Sequence, residues 1–165
     1  MLKSIQLLDA DKADKILDRM AYEMYEHNIG ESGILMAGIA DRGLDIAKLL
    51  KKKIEKISDL KVEVVSIRIN KDNPIDPVIM ESTDLADRSI ILVDDVANSG
   101  KTIMYALKPF LAQVVRKMQV AVLIDRKHKR YPVSSDYVGL QLSTALQEHI
   151  IVSVEKGKVT GATLS

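Results

Sequence analysis

The sequence predicts an α/β fold, a mostly parallel sheet flanked by helices. Segments with helical apolar spacing alternate with short β-branched runs along the 165 residues. Strand, helix, strand in that order demands a parallel crossover. The length suits one domain, residues 1–165, with a core large enough to stand without a staple, and the chain has no cysteine to supply one.

Residues 9 to about 28 form the first predicted helix. Ala13, Ile16, Leu17, Met20, Ala21 and Met24 recur at helical spacing, and Asp9 or Asp11 stands ready to cap the start. Gly33-Ile-Leu-Met-Ala-Gly-Ile39 reads as a buried strand. A second helix follows through Ile46, Leu49, Leu50, Ile54 and Ile57, and residues 62–69 make a β-branched strand. Residues 70–89 are polar, hold two of the four prolines and keep no period, which predicts a long loop. The apolar strand from Ile90 leads into a helix using Ile103, Ala106, Leu107, Phe110, Leu111 and Val114. Pro109 should kink or interrupt that helix, because proline removes a backbone donor. Residues 119–124 are another buried strand, and residues 150–154 with 159–164 form a closing hairpin around Glu155-Lys-Gly-Lys158.

Composition narrows the partners. Lys plus Arg total 24 against 23 for Asp plus Glu, a net charge of +1, so nothing global favours nucleic acid. With no tryptophan, one phenylalanine and five tyrosines, base-stacking platforms are disfavoured too. The opening Met-Leu-Lys-Ser-Ile-Gln-Leu-Leu-Asp is too short an apolar run for a signal peptide, and no later segment reaches membrane-spanning length. A soluble cytoplasmic protein with no membrane partner is expected.

The chemistry concentrates in Ile90-Ile-Leu-Val-Asp-Asp-Val-Ala-Asn-Ser-Gly-Lys-Thr102. In parallel sheets, ligands gather at the carboxyl ends of strands. Ala97, Asn98, Ser99, Gly100, Lys101 and Thr102 form the turn into a helix, where free N–H groups favour an anion and Gly100 permits close approach. A triphosphate-binding loop would need glycine five residues before Gly100, but Asp95 stands there. Alone, Asp94 and Asp95 would more often cap a turn. Followed at once by an anion cradle, they suit a ligand with both a diol and a phosphate, a ribose 5-phosphate.

Val93-Asp-Asp-Val-Ala-Asn-Ser-Gly-Lys-Thr102 resembles the 5-phosphoribosyl-1-pyrophosphate (PRPP) signature of type I phosphoribosyltransferases, with Ser99 for the frequent threonine. The resemblance implies that Asp94 and Asp95 hold the ribose hydroxyls and that residues 97–102 hold the 5-phosphate. Ala37-Gly-Ile-Ala-Asp-Arg-Gly43 resembles the same family's pyrophosphate loop, which often contains a non-proline cis peptide. It would contribute Ala40, Asp41, Arg42 and Gly43; a plain turn would be the better reading of these residues alone. A third piece, Ile124-Asp-Arg-Lys-His-Lys-Arg-Tyr-Pro-Val-Ser-Ser-Asp-Tyr-Val-Gly139, resembles the base-binding hood of the bifunctional pyrimidine operon regulator and uracil phosphoribosyltransferase family. That likeness runs from Leu17-Asp-Arg-Met-Ala-Tyr-Glu-Met to Ser143-Thr144, most of the chain.

The family implies a type I phosphoribosyltransferase-like fold whose small hood covers about residues 126–144 plus the terminal segments. It implies transfer of ribose 5-phosphate from PRPP to a nucleobase, giving a nucleoside monophosphate and pyrophosphate. Asp94, Asp95 and Arg42 would be catalytic, and Asp125, Arg126, Tyr137 and Val138 would bind the base, with uracil leading. Mg2+ would ride on substrate oxygens, with no dedicated protein metal site. Residues 70–89 become a lid carrying Lys71 and Asp72, although Lys71 stands where the family usually has arginine, which gives up bidentate geometry. Enzymes of this fold acting on 6-oxopurines usually carry aspartate at the position of Asn98, so purine salvage ranks behind.

The regulator family also binds messenger RNA through a basic surface. Here Asp18, Arg19, Tyr22 and His27 stand where it offers Thr, Arg, His and Arg, and Ser134 and Leu140 replace Arg and Lys. Lost cations weaken an RNA site directly, so the enzyme ranks above an RNA-binding regulator with weak or no catalysis. His128 falls inside a predicted site with a surface or core role equally open, while His27 and His149 are expected to be structural. A homo-oligomer is the family expectation.

Overall fold

The computed structural model describes residues 4–81, 84–143 and 148–165. The opening Met1, Leu2 and Lys3, Ser82 and Thr83 of the expected lid, and Thr144 of the expected hood lie outside the described residues. Strand β1 (Ile5–Asp9) leads directly into helix α1 (Ala10–His27). Asp9 is the N-cap, its carboxylate accepting from the Lys12 N–H at 2.8 Å. Ala13, Leu17, Met20, Ala21 and Met24 line the buried stripe of α1.

Then come β2 (Ile34–Ile39), α2 (Ala40–Ile57) and β3 (Val62–Arg68), the predicted crossover. Every residue of β2 is buried, as expected for a central parallel strand covered on both faces. The 70–89 stretch, expected as one long loop, holds a two-residue strand, β4 (Ile79–Met80), paired antiparallel with β3 through Ile67–Met80 and Arg68–Ile79. So short a pairing leaves no periodic trace in sequence.

Strand β5 (Ser89–Ala97) feeds α3 (Lys101–Ala106), which hands over to a 3₁₀ turn at Lys108–Ala112. Pro109 interrupts the helix as expected. The turn then ends before Val114, leaving Leu111 80% and Val114 89% exposed where a continuing amphipathic helix would have buried them. Strand β6 (Lys117–Arg126), strand β7 (Tyr137–Leu142), and the hairpin of β8 (Ile150–Glu155) and β9 (Lys158–Leu164) complete the chain. The hairpin turns through Lys156 and Gly157, both at positive φ.

The main sheet has order β4-β3-β2-β5-β6-β7, parallel except at β4, and a second sheet of order β1-β9-β8 is antiparallel. On one face of the main sheet, α1 and α2 share a core with Leu8, Val152, Val159 and Ala162 of the small sheet. The other face packs Ile103, Ala106 and Phe110 against Leu35, Leu92 and Val122. From β2 the chain crosses to β3 on one side; from β5 it crosses to β6 on the other. The gap between the carboxyl ends of β2 and β5 is therefore the topological switch point, where α/β sheets open a crevice.

Candidate functional site

A cleft of about 400 Å³ lies at that switch point. Its walls bring together Ala40, Asp41 and Arg42 after β2, Asp94 and Asp95 at the end of β5, and the turn formed by Ala97, Asn98, Ser99, Gly100, Lys101 and Thr102. Lys71 reaches it from the 70–89 stretch, while Asp72 does not line it. Ile39, Val96, Ile103 and Ile150 also line the cleft, and sequence reasoning passed over them as ordinary apolar strand and helix residues. Ile150, the first residue of β8, brings the small sheet to the cleft wall.

Two anion-ready turns converge there. Helix α2 starts at Ala40 with no side chain capping its first N–H groups, so 18 aligned peptides direct a partial positive charge at the cleft. Ala40 has φ +53°, a left-handed conformation unusual for a residue with a Cβ, and costs of order 1 kcal/mol. The described peptide bonds are all trans, so this turn is made by a positive φ and not by the cis bond frequent in the resembling family. Gly43 sits one turn into α2, where a Cβ would stand 2.6 Å from the Val93 carbonyl oxygen. Its lack of a side chain lets α2 press against β5 just below the acidic pair. In the second turn, Gly100 has φ +85°, and a Cβ there would collide with Val133. The Ser99 carbonyl accepts from the N–H groups of Arg130 and Tyr131 at 3.0 and 3.1 Å, which fixes the turn against the segment after β6.

The carboxylates differ sharply. Asp94 is 4% exposed, and one of its oxygens accepts from the Asp95 N–H at 2.9 Å. Burial, reinforced by the neighbouring Asp95 charge, pushes the Asp94 carboxyl well above its ordinary range. Asp95 faces the exposed guanidinium of Arg42 at 3.9 Å, too long for a strong pair, leaving both groups available to a ligand. A buried carboxyl held against its charged form inside a cleft marks a site built for binding or chemistry.

A second pocket of about 290 Å³ adjoins the first, sharing Asn98, Ser99 and Ile150 and adding Arg126, Arg130, Glu148 and His149. Arg126 is 3% exposed and donates to the Glu148 carbonyl; Asp125 accepts from Lys129 at 2.5 Å. The structure does not bring Asp125, Tyr137 or Val138 to the lining of either pocket, Asp125 being buried against Lys129. Tyr137 is fully buried in β7, its hydroxyl donating to Gln119 at 2.9 Å, and the Val138 carbonyl accepts from Arg19 at 3.1 Å. The Tyr-Val-Gly part of Asp-Tyr-Val-Gly is sheet strand because Tyr137 and Val138 pair in parallel with Ala121 and Val122 of β6, a role that short polar-flanked motifs do not announce. His149 lines the second pocket, His128 is exposed, and the His27 ring lies 5.6 Å from that of Tyr137.

Comparison with known proteins gives the family and the fold. The family described as "Phosphoribosyl transferase domain" matches residues 4–156. The protein named "Bifunctional protein PyrR" of Clostridium kluyveri is 38% identical over 162 residues, covering 93% of this chain and 90% of the relative. Its namesake in Macrococcus caseolyticus is 33% identical over 159 residues, covering 91% of each. Among solved structures, the hypoxanthine phosphoribosyltransferase of Trypanosoma cruzi superposes with a TM-score of 0.79 at 12% identity, covering 94% of each chain. A hypoxanthine-guanine phosphoribosyltransferase of Bacillus anthracis gives 0.75 at 15%, covering 97% of this chain and 99% of that one. Those two likenesses are likenesses of fold. With a matched family spanning nearly the whole chain, and relatives above 30% identity along nine-tenths of it, this chain belongs to the phosphoribosyl transferase domain family.

Proposed function

We propose that this protein transfers the 5-phosphoribosyl group of PRPP to a nucleobase, with uracil the leading acceptor, and releases pyrophosphate. The observation that carries it is the convergence of Asp94 and Asp95 with the α2 turn and the 97–102 turn in one cleft. PRPP has a phosphate at each end of a ribose diol, and the cleft offers a turn, a carboxylate pair and a turn. The turn at residues 97–102 takes the 5-phosphate, Asp94 and Asp95 accept from the ribose hydroxyls, and the α2 turn with Arg42 takes the pyrophosphate.

The bond from C1′ to the pyrophosphate oxygen lengthens ahead of attack, a ring nitrogen of the base closes on C1′ as pyrophosphate leaves, and the proton that nitrogen carried passes to water or the departing pyrophosphate. Charge builds on the departing oxygens, where Arg42 and the α2 N–H groups stand, and cationic character builds on the ribose, beside the two carboxylates. Two adjacent carboxylates with a cationic rim fit a Mg2+ that arrives on PRPP oxygens and water, and the ion would supply charge neutralisation of the pyrophosphate. The base lies toward Ile150 and Arg126, since Tyr137 and Val138 are committed to the sheet. Asn98, lining both pockets, offers an amide where a proton relay to a purine would call for a carboxylate.

The RNA-binding alternative is disfavoured by where cations of the α1 and α2 layer go. Arg19 is spent on Glu23 and on the Gly139 carbonyl, both at 2.7 Å. Lys53 is held between Asp14 and Asp18 at 2.7 and 2.6 Å. Incubation with PRPP, Mg2+ and a panel of uracil, cytosine, hypoxanthine, guanine and adenine, following pyrophosphate release, tests the proposal. Release with uracil is expected. Inertness to every base would sink the enzyme reading, turnover with hypoxanthine or guanine alone would move it to purines, and tight gel-shift of a pyrimidine-operon leader persisting in moderate salt would restore the regulator.

A further inference from the structure

We propose that Lys108 is a positioning residue, a latch that holds residues 70–76 so that Lys71 is already in the cleft before PRPP arrives; the kinetic part rests on the function proposed above. The Lys108 ammonium donates to the Pro74 carbonyl at 2.6 Å and to the Asp76 carbonyl at 3.3 Å. It also lies 5.3 Å from the centre of the Tyr105 ring. Pro74 has no N–H and a fixed φ, so its carbonyl is a stiff handle.

The segment it grips is itself closed into a knot. The Asn70 side-chain oxygen accepts from the N–H groups of Asp72 and Asn73 at 3.1 and 3.2 Å. The Asp76 carboxylate accepts from the side-chain amides of Asn70 and Asn73 at 2.9 and 2.6 Å. These local bonds set the shape of the segment, but they do not by themselves fix it to the rest of the protein. Lys108 ties it to the chain just beyond α3, the helix whose other end is the 5-phosphate turn. Lys71 then lines the cleft close enough to Asp94 for its charge to favour the Asp94 carboxylate.

Without the latch, residues 70–76 would have to be ordered when PRPP binds, and that ordering is a cost on binding, not on the chemical step. The test compares Lys108→Met, which keeps the stem and removes the charge, with Lys108→Arg, which keeps a donor. In ligand-free protein, amide hydrogen exchange across residues 70–76 should quicken about tenfold in Lys108→Met and stay near wild type in Lys108→Arg, a local opening of the kind exchange reads. In the pyrophosphate-release assay, Lys108→Met should raise KM for PRPP about tenfold with kcat within about twofold. In a Lys71→Ala background the same substitution should leave KM unchanged, because the latch acts through Lys71. Unchanged exchange at 70–76, or an equal KM penalty with and without Lys71, would overturn the latch. Should the wild-type protein neither bind nor turn over PRPP, the functional proposal fails, while the exchange measurement, which needs no ligand, still decides whether Lys108 holds the segment.

Discussion

Asp94 is a residue the fold would be more stable without. Its folded pKa lies above the ordinary 3.8 because burial and Asp95 oppose the charge. The folded state therefore binds this proton more readily than the unfolded chain, and the carboxylate costs nothing at pH below 3.8. The penalty grows as pH rises through the folded value and is complete above it. Asp94→Asn should thus raise Tm at neutral pH, by about 2–4 °C for each kcal/mol recovered, while phosphoribosyl transfer falls by about 100-fold or more. Melting curves and pyrophosphate release on the same preparation check both halves; a variant that loses stability together with activity would show Asp94 to be structural. The acidic pair and the 97–102 turn were legible in sequence because the whole device is contiguous, strand end and turn in one stretch. Lys71 is named only through the family resemblance, and Ile150 and Lys108 carry no sequence signal of a site role at all, since each reaches its place only through tertiary contacts.

Helix α2 illustrates an element whose position is set by one atom's absence. A Cβ on residue 43 would meet the Val93 carbonyl oxygen at 2.6 Å and the Asp94 Cα at 3.4 Å, both backbone atoms that cannot swing aside. Gly43→Ala should push α2 off β5, costing about 1–3 kcal/mol of stability and raising KM for PRPP as the α2 turn retreats from the acidic pair; denaturant unfolding and steady-state kinetics read the two effects. Unchanged values for both would mean that α2 does not depend on this contact. At this scale the sequence was most informative for long periodic elements and least for short paired ones. Helices α1 and α2 and strands β2, β3, β5 and β6 carry their burial in their spacing. Strand β4 is two residues on an edge, and β1 is a five-residue stretch running straight into a helix. Strand β7 exists because β6 offers it a parallel edge, so its burial of Tyr137 could be found only from the assembled sheet.

The molecule as a whole should show an alkaline limit set partly by that tyrosine. Burial, with Asp136 nearby, pushes the Tyr137 hydroxyl up to about 12 from its ordinary 10.0, the Gln119 hydrogen bond notwithstanding. Folded protein therefore keeps the proton that the unfolded chain releases. Its contribution is complete below pH 10 and is lost as pH climbs toward 12. Tyr137→Phe should cost about 1 kcal/mol at neutral pH, from the lost hydrogen bond, yet decline less steeply across the alkaline range; equal alkaline slopes for the two proteins in thermal melts would rule the tyrosine out. The crevice at the switch point has a mechanical meaning as well. The body of α2 packs in the layer built with α1, although Ala40 at its first turn touches the opposite core, whereas the 97–102 turn leads into α3 on that opposite face of the sheet. A ligand holding one phosphate in each turn acts as a tie rod at the sheet's edge, bolting helix α2 of one layer to helix α3 of the other, so protection from proteolysis on binding should spread to both faces at once.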